Sequence, residues 1–130
     1  MILVDSSVWI DYFNGIENMG TNKLNETLSY EEIAIGDLIL TEVLQGFSND
    51  KDYKVAKDVL TALTIFELLG TELAIKSANN FRKLRKKGIT IRKAADVIIA
   101  TYCIESKTPL LFTDKDFIPF IDHMSLRSAC

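Results

Sequence analysis

Five carboxylates carry most of the chemistry open to this chain: Asp5, Glu42, Asp96 and Asp114, with Asp116 two residues beyond the last. The first four each sit inside or at the end of an apolar run, where an ionised side chain is costly unless it is paired or binds a cation. Asp5 ends the run Ile2, Leu3, Val4, and Asp114 ends Leu110, Leu111, Phe112, Thr113. Glu42 follows Leu38, Ile39 and Leu40 and precedes Val43 and Leu44, while Asp96 lies between Ala94, Ala95 and Val97, Ile98, Ile99. Taken singly, each reads as a helix cap or an exposed turn. A shared divalent-metal site accounts for all four together.

Such a cluster is unstable by itself, because two anions about 5 Å apart repel by roughly 3 kcal/mol at an effective dielectric of 20. Something cationic must complete it. Oxygen-only ligands select Mg²⁺ or Mn²⁺ over zinc, and Mg²⁺ keeps several waters, which leaves positions for substrate phosphate oxygens. An ion so held can deprotonate a water, polarise a scissile phosphate and stabilise the departing oxyanion. The histidine-based alternative is weakened by count: His123 is the only histidine, so a paired-histidine acid–base mechanism is out of reach, and this residue reads as a surface or packing group. The chain has no Gly-x-x-x-x-Gly-Lys loop and no Gly-x-Gly-x-x-Gly fingerprint, so ATP and dinucleotide use are unsupported. Ser6 and Ser7 lack a histidine base and read as helix caps or as hydroxyls supporting the metal site.

The chain has 130 residues, 48% hydrophobic and 25% charged, which fits one compact soluble domain over 1–130. It begins without a basic or cleavable apolar segment, and no apolar run approaches the roughly 20 residues that span a bilayer. A cytoplasmic protein with no membrane partner is the expectation. Cys103 and Cys130 have no zinc spacing, so a buried thiol and a loose terminal thiol are expected. The net charge of −3 hides an asymmetry: without the five acids, 15 basic residues stand against 13 acidic ones. Arg82, Lys83, Arg85, Lys86 and Lys87, followed by Arg92 and Lys93, form either a solvated helix face or a phosphate-contacting flank beside the acidic centre.

The elements that must position these groups alternate. Residues 2–5 read as a short buried strand. Ser6 or Ser7 can cap a helix through Phe13, which Asn14-Gly15 stops. A weak polar helix is expected over 21–30, and Ile33 to Ile35 is a second strand ended by Gly36. Asp37 caps a helix over 38–47. A longer helix over 51–63 places Val55, Val59, Leu60 and Leu63 on one face, and Ile65 to Leu69 is a third strand candidate. A basic helix over 72–87 stops at Gly88, and the most apolar helix covers 93–106. Leu110 to Thr113 is a fourth strand, followed by a turn or short helix from Phe117 to Ile121 and an edge strand at Met124 to Leu126. Short apolar runs alternating with helices predict a three-layer α/β/α sandwich with a mostly parallel central sheet. In such sheets functional groups gather at the carboxyl ends of the strands, which is where Asp5 and Asp114 fall.

The ordered set of segments resembles the PIN-domain nucleases: Asp-Ser-Ser-Val-Trp-Ile-Asp at 5–11, Glu42 with Val43 to Gly46 behind it, Ala-Asp-Val-Ile-Ile-Ala at 95–100, and Phe-Thr-Asp-Lys-Asp-Phe at 112–117. Within that family the pattern is similar to the VapC toxins of VapBC toxin–antitoxin modules. The resemblance implies an Mg²⁺-dependent endoribonuclease, with Mn²⁺ able to substitute, that is usually homodimeric and is held silent by a VapB-like antitoxin. It assigns Asp5, Glu42, Asp96 and Asp114 to the metal and catalysis, and makes Asp116 an auxiliary metal-site acid. Ser6 and Thr113 are supporting hydroxyls; a structural strand-end role for Thr113 stands beside that one. The alternatives are a PIN-type enzyme of RNA processing or acting on DNA, and a non-catalytic interaction module. A phosphoryl-transfer domain of the haloacid dehalogenase type needs an acid two residues after its first aspartate, and that position is Ser7. Trp9, Tyr12 and Phe13 read as core or dimer-interface residues before base-stacking ones.

Overall fold

The protein is described from a computed structural model over residues 1–129; the terminal thiol of Cys130 lies outside the described residues. Four strands, β1 (Ile2–Val4), β2 (Ile33–Gly36), β3 (Thr64–Phe66) and β4 (Leu110–Leu111), form one sheet in the order β3-β2-β1-β4, and every pairing is parallel. In register, Leu3 stands opposite Ala34 on one side and Leu110 on the other. All residues of β1, β2 and β4 are buried, as strands covered by helices on both faces must be. This is why they read as unbroken apolar runs and not as alternating ones.

The helices are α1 (Ser6–Phe13), α2 (Met19–Leu28), α3 (Asp37–Leu44), α4 (Asp50–Thr61), α5 (Thr71–Lys86), α6 (Ala94–Ser106) and α7 (Ile118–Met124), with a single 3₁₀ turn over Lys115–Phe117 before the last. Helix α1 packs on α2 and α3, and α5 packs on α6, so the expected three-layer α/β/α arrangement stands. Among the described residues no helix is long and apolar enough to cross a membrane. Leu3, Ile35, Ile39, Leu60, Ile99 and Phe120 are among the fully buried core side chains. Trp9 is 1% exposed, stacks on Phe13 and meets Tyr12 edge-on, so the α1 aromatics belong to the core. Cys103 is buried, and burial pushes its thiol up to about 12.

Several local expectations are corrected. The α1 cap is Asp5, whose side chain accepts the Ser7 N–H, and neither serine takes that place. Asp37 is the first residue of α3 instead of its cap; the cap position is Gly36. Gly36 is required there, since a Cβ would stand 2.3 Å from Leu68 Cδ1. Asp37 Oδ1 accepts both the Leu38 and the Leu68 N–H, and diverting Leu68 from a ladder shortens β3 to end at Phe66. Helix α3 stops at Leu44, with Gln45 as its C-cap. Helix α4 buries Ala56 and Leu60 while Val55 and Val59 are exposed, because a small alanine, and not the larger valines, faces the neighbouring layer. Strand β4 ends at Leu111. The edge strand expected over Met124 to Leu126 is absent among the described residues: Ser125 takes a left-handed conformation (φ 61°), and the chain pairs only later, through an isolated parallel bridge between Leu110 and Ser128.

Candidate metal centre

Asp5 leaves β1 and caps α1 in one step. Its Oδ2 accepts the Ser7 N–H at 3.2 Å and the Ser7 Oγ–H at 2.6 Å, which satisfies the helix start. Its Oδ1 is buried and has no hydrogen-bond partner. Asp114 repeats the arrangement beyond β4: it caps the 3₁₀ turn, Oδ1 accepting the Asp116 N–H at 2.9 Å, while Oδ2 stands 3.9 Å from Lys93 Nζ. Each aspartate commits one oxygen to holding the turn that follows it and leaves the other free of hydrogen bonds to that turn.

Glu42 comes from the interior of α3 and is half-buried, with Oε1 buried and without a hydrogen-bond partner. Asp96 lies in the first turn of α6, where the positive end of the helix dipole favours an anion. It is 2% exposed, and its Oδ2 has no hydrogen-bond partner, only the Lys93 ammonium at 3.8 Å. Asp96, Asp114 and Asp116 each offer an oxygen within 4.8 Å of the other two. The acid expected to be auxiliary therefore belongs to the tightest trio, and Arg92 Nε holds Asp116 Oδ2 at 3.2 Å.

Asp5 and Glu42 join this trio electrostatically. Burial raises the Asp5 carboxyl above its ordinary value, hydrogen bonds from Ser7 and the Ser6 backbone oppose the rise, and the Asp114 charge adds to it. Burial, then the Asp5 charge, raises Glu42, against smaller pulls from Lys93 and the Ser6 side chain. Asp96 is pushed up to about 7, chiefly by burial, with Lys93 opposing and Asp5, Asp114 and Glu42 reinforcing. Asp96 thus feels the charges of Asp5, Asp114 and Glu42 together. Protons disfavoured elsewhere are favoured here because too many anions share a poorly solvated space.

Three buried carboxylate oxygens without a hydrogen-bond partner, Asp5 Oδ1, Glu42 Oε1 and Asp96 Oδ2, are what a hard divalent cation with oxygen ligands needs. The residues present fit Mg²⁺ or Mn²⁺. Thr113 donates from Oγ1 to Ser7 Oγ at 3.4 Å, so a line of hydroxyls runs from Thr113 through Ser7 to Asp5. Ser7, weighed in the sequence only as a cap or a supporting hydroxyl, is thus the direct holder of Asp5, while Ser6 faces Glu42. Gly20 was missed altogether: a Cβ there would stand 2.6 Å from Thr113 Cγ2, so α2 packs closely against the Thr113 methyl where residue 20 has no side chain. No local signal marks it, since the contact joins distant parts of the chain.

The basic residues separate into three places. Lys93 lies between Asp96 and Asp114, inside the cluster. Arg82, Arg85 and Arg92 line a recess between α5 and α6. Lys83, Lys86 and Lys87 line another recess with His123 and Met124 of α7. One run in the sequence is therefore two helix faces.

The family model described as PIN domain matches residues 2–120. Among curated proteins, the chain is 27% identical over 119 residues to ribonuclease VapC11 of Mycobacterium tuberculosis, covering 90% of this chain and 89% of that one. It is 29% identical over 126 residues to ribonuclease VapC1 of Methanocaldococcus jannaschii, covering 97% and 85%. Among solved structures, VapBC2 of Rickettsia felis bound to a promoter DNA fragment superposes with a TM-score of 0.77 at 20% identity, covering 98% and 97% of the two chains. VapC20 of Mycobacterium tuberculosis, a toxin that cleaves the sarcin–ricin loop, gives 0.69 at 12% identity, covering 92% and 94%. These two likenesses are of fold.

Proposed function

The chain belongs to the PIN-domain family, and on that premise we propose that it is a divalent-metal-dependent endoribonuclease, the toxin partner of a VapBC-type pair. The single observation that carries the metal dependence is the set of three buried carboxylate oxygens, from Asp5, Glu42 and Asp96, that have no hydrogen-bond partner. Together with Asp114 they would hold Mg²⁺ or Mn²⁺, with Asp116 at the rim of the same cluster. The chemistry such an ion would supply when held there is activation of a water and polarisation of the scissile phosphate.

The chain's own residues do the rest. Ser7 fixes the Asp5 carboxylate through two hydrogen bonds, and Thr113 in turn donates to Ser7. Asp114 is fixed by the Asp116 N–H. Lys93 and Arg92 moderate the charge of the acids, and Arg92, exposed beside Asp116, is placed to meet a phosphate. Asp96, raised to about 7, holds a proton for part of the time near neutrality and must release it when a cation arrives.

The partner follows from the same charge. A pocket of paired carboxylates accepts a cationic side chain, and an arginine fork suits it better than a lysine. A VapB-like antitoxin that inserts such a residue would compete with the ion and silence the enzyme. A homodimer of single-domain subunits acting in the cytoplasm completes the reading.

Incubating the purified, antitoxin-free protein with single-stranded or loop RNA tests the assignment. Cleavage is expected with Mg²⁺ or Mn²⁺ and none in their absence; full activity in excess EDTA overturns it.

A further inference from the structure

The recess between α5 and α6 is not used by the metal centre. It encloses about 640 Å³, within the roughly 300–1,000 Å³ of small-ligand sites. Phe81, Val97 and Ile98 wall it, and Arg82, Arg85 and Arg92 stand along its lining. Ser77 also lines it, and this residue is only 5% exposed while its hydroxyl has no hydrogen-bond partner. A helical serine ordinarily returns its O–H to a carbonyl one turn earlier, and a buried hydroxyl left unpaired against apolar walls is costly. The Arg85 guanidinium lies over the Phe81 ring, 5.5 Å from its centroid. No ion pair among the described residues involves Arg82 or Arg85. Arg92 reaches Asp116, so the lining of the recess runs directly into the acidic cluster.

We propose that this recess is a nucleobase subsite of the same enzyme. One base of a single-stranded RNA enters between α5 and α6, packs against Phe81 and exchanges a hydrogen bond with Ser77 Oγ, while the adjoining phosphates lie on Arg82 and Arg85. The inference rests on the ribonuclease reading and adds where the substrate strand is held. Three features select this occupant over others. Besides the arginines the walls are apolar with one hydroxyl, which suits a π-face bearing an edge to hydrogen-bond. The cations are arginines, whose forks fit phosphate. The recess also adjoins the acids at which the scissile phosphate must lie. Lys83, Lys86 and Lys87, on the other face of α5, are not part of it.

Equilibrium binding in EDTA tests the subsite, using fluorescein-labelled decamers of adenosine, cytidine or uridine and an abasic ribose–phosphate decamer. The wild-type protein should bind at least one homopolymer about tenfold more tightly than the abasic strand, the scale of one stacked base. Ala78→Trp fills the recess from an exposed position; it should remove that preference and leave abasic binding unchanged. Ser77→Ala should reduce the preference several-fold. Arg82→Gln with Arg85→Gln should weaken every strand and lower the salt slope by about 0.7 for each phosphate no longer neutralised, whereas Gln at Lys83, Lys86 and Lys87 should leave the base preference intact. If Ala78→Trp and Ser77→Ala keep the wild-type preference, the subsite is overturned. It is equally overturned if sedimentation shows that Ala78→Trp alters the association state, which gives the recess to a second copy. Wild-type protein that neither binds the decamers nor cuts RNA with Mn²⁺ refutes the ribonuclease reading itself, whereas normal cleavage with indistinguishable variants refutes only the subsite.

Discussion

Lys93 Nζ stands 3.8 Å from Asp96 Oδ2, three residues away across the start of α6, and 3.9 Å from Asp114 Oδ2. The cluster therefore carries a tethered cation of its own. The ammonium is half exposed and strongly screened, so its attraction for the acids is modest, but it also repels any dication entering the same space. Lys93→Gln should bind Mn²⁺ a few-fold more tightly than the wild type at pH 8.5, above the Asp96 value of about 7. Calorimetric titration checks this; weaker binding by the variant would make Lys93 a supporting group of the site and not a competitor.

The raised acids make the metal-free fold sensitive to pH. Asp96 has a folded value of about 7 against an ordinary 3.8, so the folded state holds an extra proton between those values. The stability this contributes is complete below the unfolded value and is lost as pH rises through about 7. Asp5 and Glu42 are raised in the same direction. Thermal melts in EDTA should fall between pH 5 and pH 8, and Asp96→Asn should flatten that profile and abolish cleavage. A profile that rises with pH would sink the account.

Added metal should reverse that loss. At ~100 times its dissociation constant a bound ion contributes about 2.7 kcal/mol to the folded state, and ionised acids bind it best. Mn²⁺ should therefore raise the melting temperature more at pH 8 than at pH 5.5 in the wild type, and less in Asp96→Asn at either pH. An equal shift in both proteins would place the ion elsewhere.

Asp5 combines two roles that substitution can separate. Asparagine caps a helix as well as aspartate does, so Asp5→Asn should keep the fold while losing Mn²⁺ binding and cleavage. Ser7→Ala removes the 2.6 Å hydrogen bond to Asp5 and should cost about 1 kcal/mol with a partial loss of activity. Denaturant melts beside cleavage rates distinguish them; a Ser7→Ala protein as active and as stable as the wild type would remove Ser7 from the site.

Gly20 and Thr113 should be coupled. A Cβ at residue 20 meets Thr113 Cγ2 at 2.6 Å, and overpacking of this kind typically costs about 1–3 kcal/mol. Gly20→Ala should destabilise the protein and weaken Mn²⁺ binding through the displacement of Thr113, the neighbour of Asp114. Thr113→Ser keeps the hydroxyl and deletes the clashing methyl, so the double variant should recover most of the stability. Additive effects in that cycle would show that the two residues do not press on each other.

What the sequence alone determined was the order of the elements and a set of candidate acids for the site. Strand runs and helix stripes are legible because burial on both faces of a parallel strand, or on one face of a helix, imposes a pattern within a few residues. The acids were legible because an ionised group in an apolar run demands a compensating partner wherever the run goes. Boundaries failed where a distant partner intervened, as when Asp37 takes the Leu68 N–H and ends β3 early, or when the chain after α7 pairs at Ser128 instead of at Met124 to Leu126.

Only the tertiary structure decided how the content is arranged: that Asp116 joins Asp96 and Asp114, that Lys93 lies between them, that Arg82 and Arg85 part company with Lys83, Lys86 and Lys87, and that Gly20 faces Thr113. The reason is physical. A cap or a stripe is an interaction between near neighbours and is written in local spacing, whereas charge coupling and close approach depend on distances through space that packing of the three layers sets.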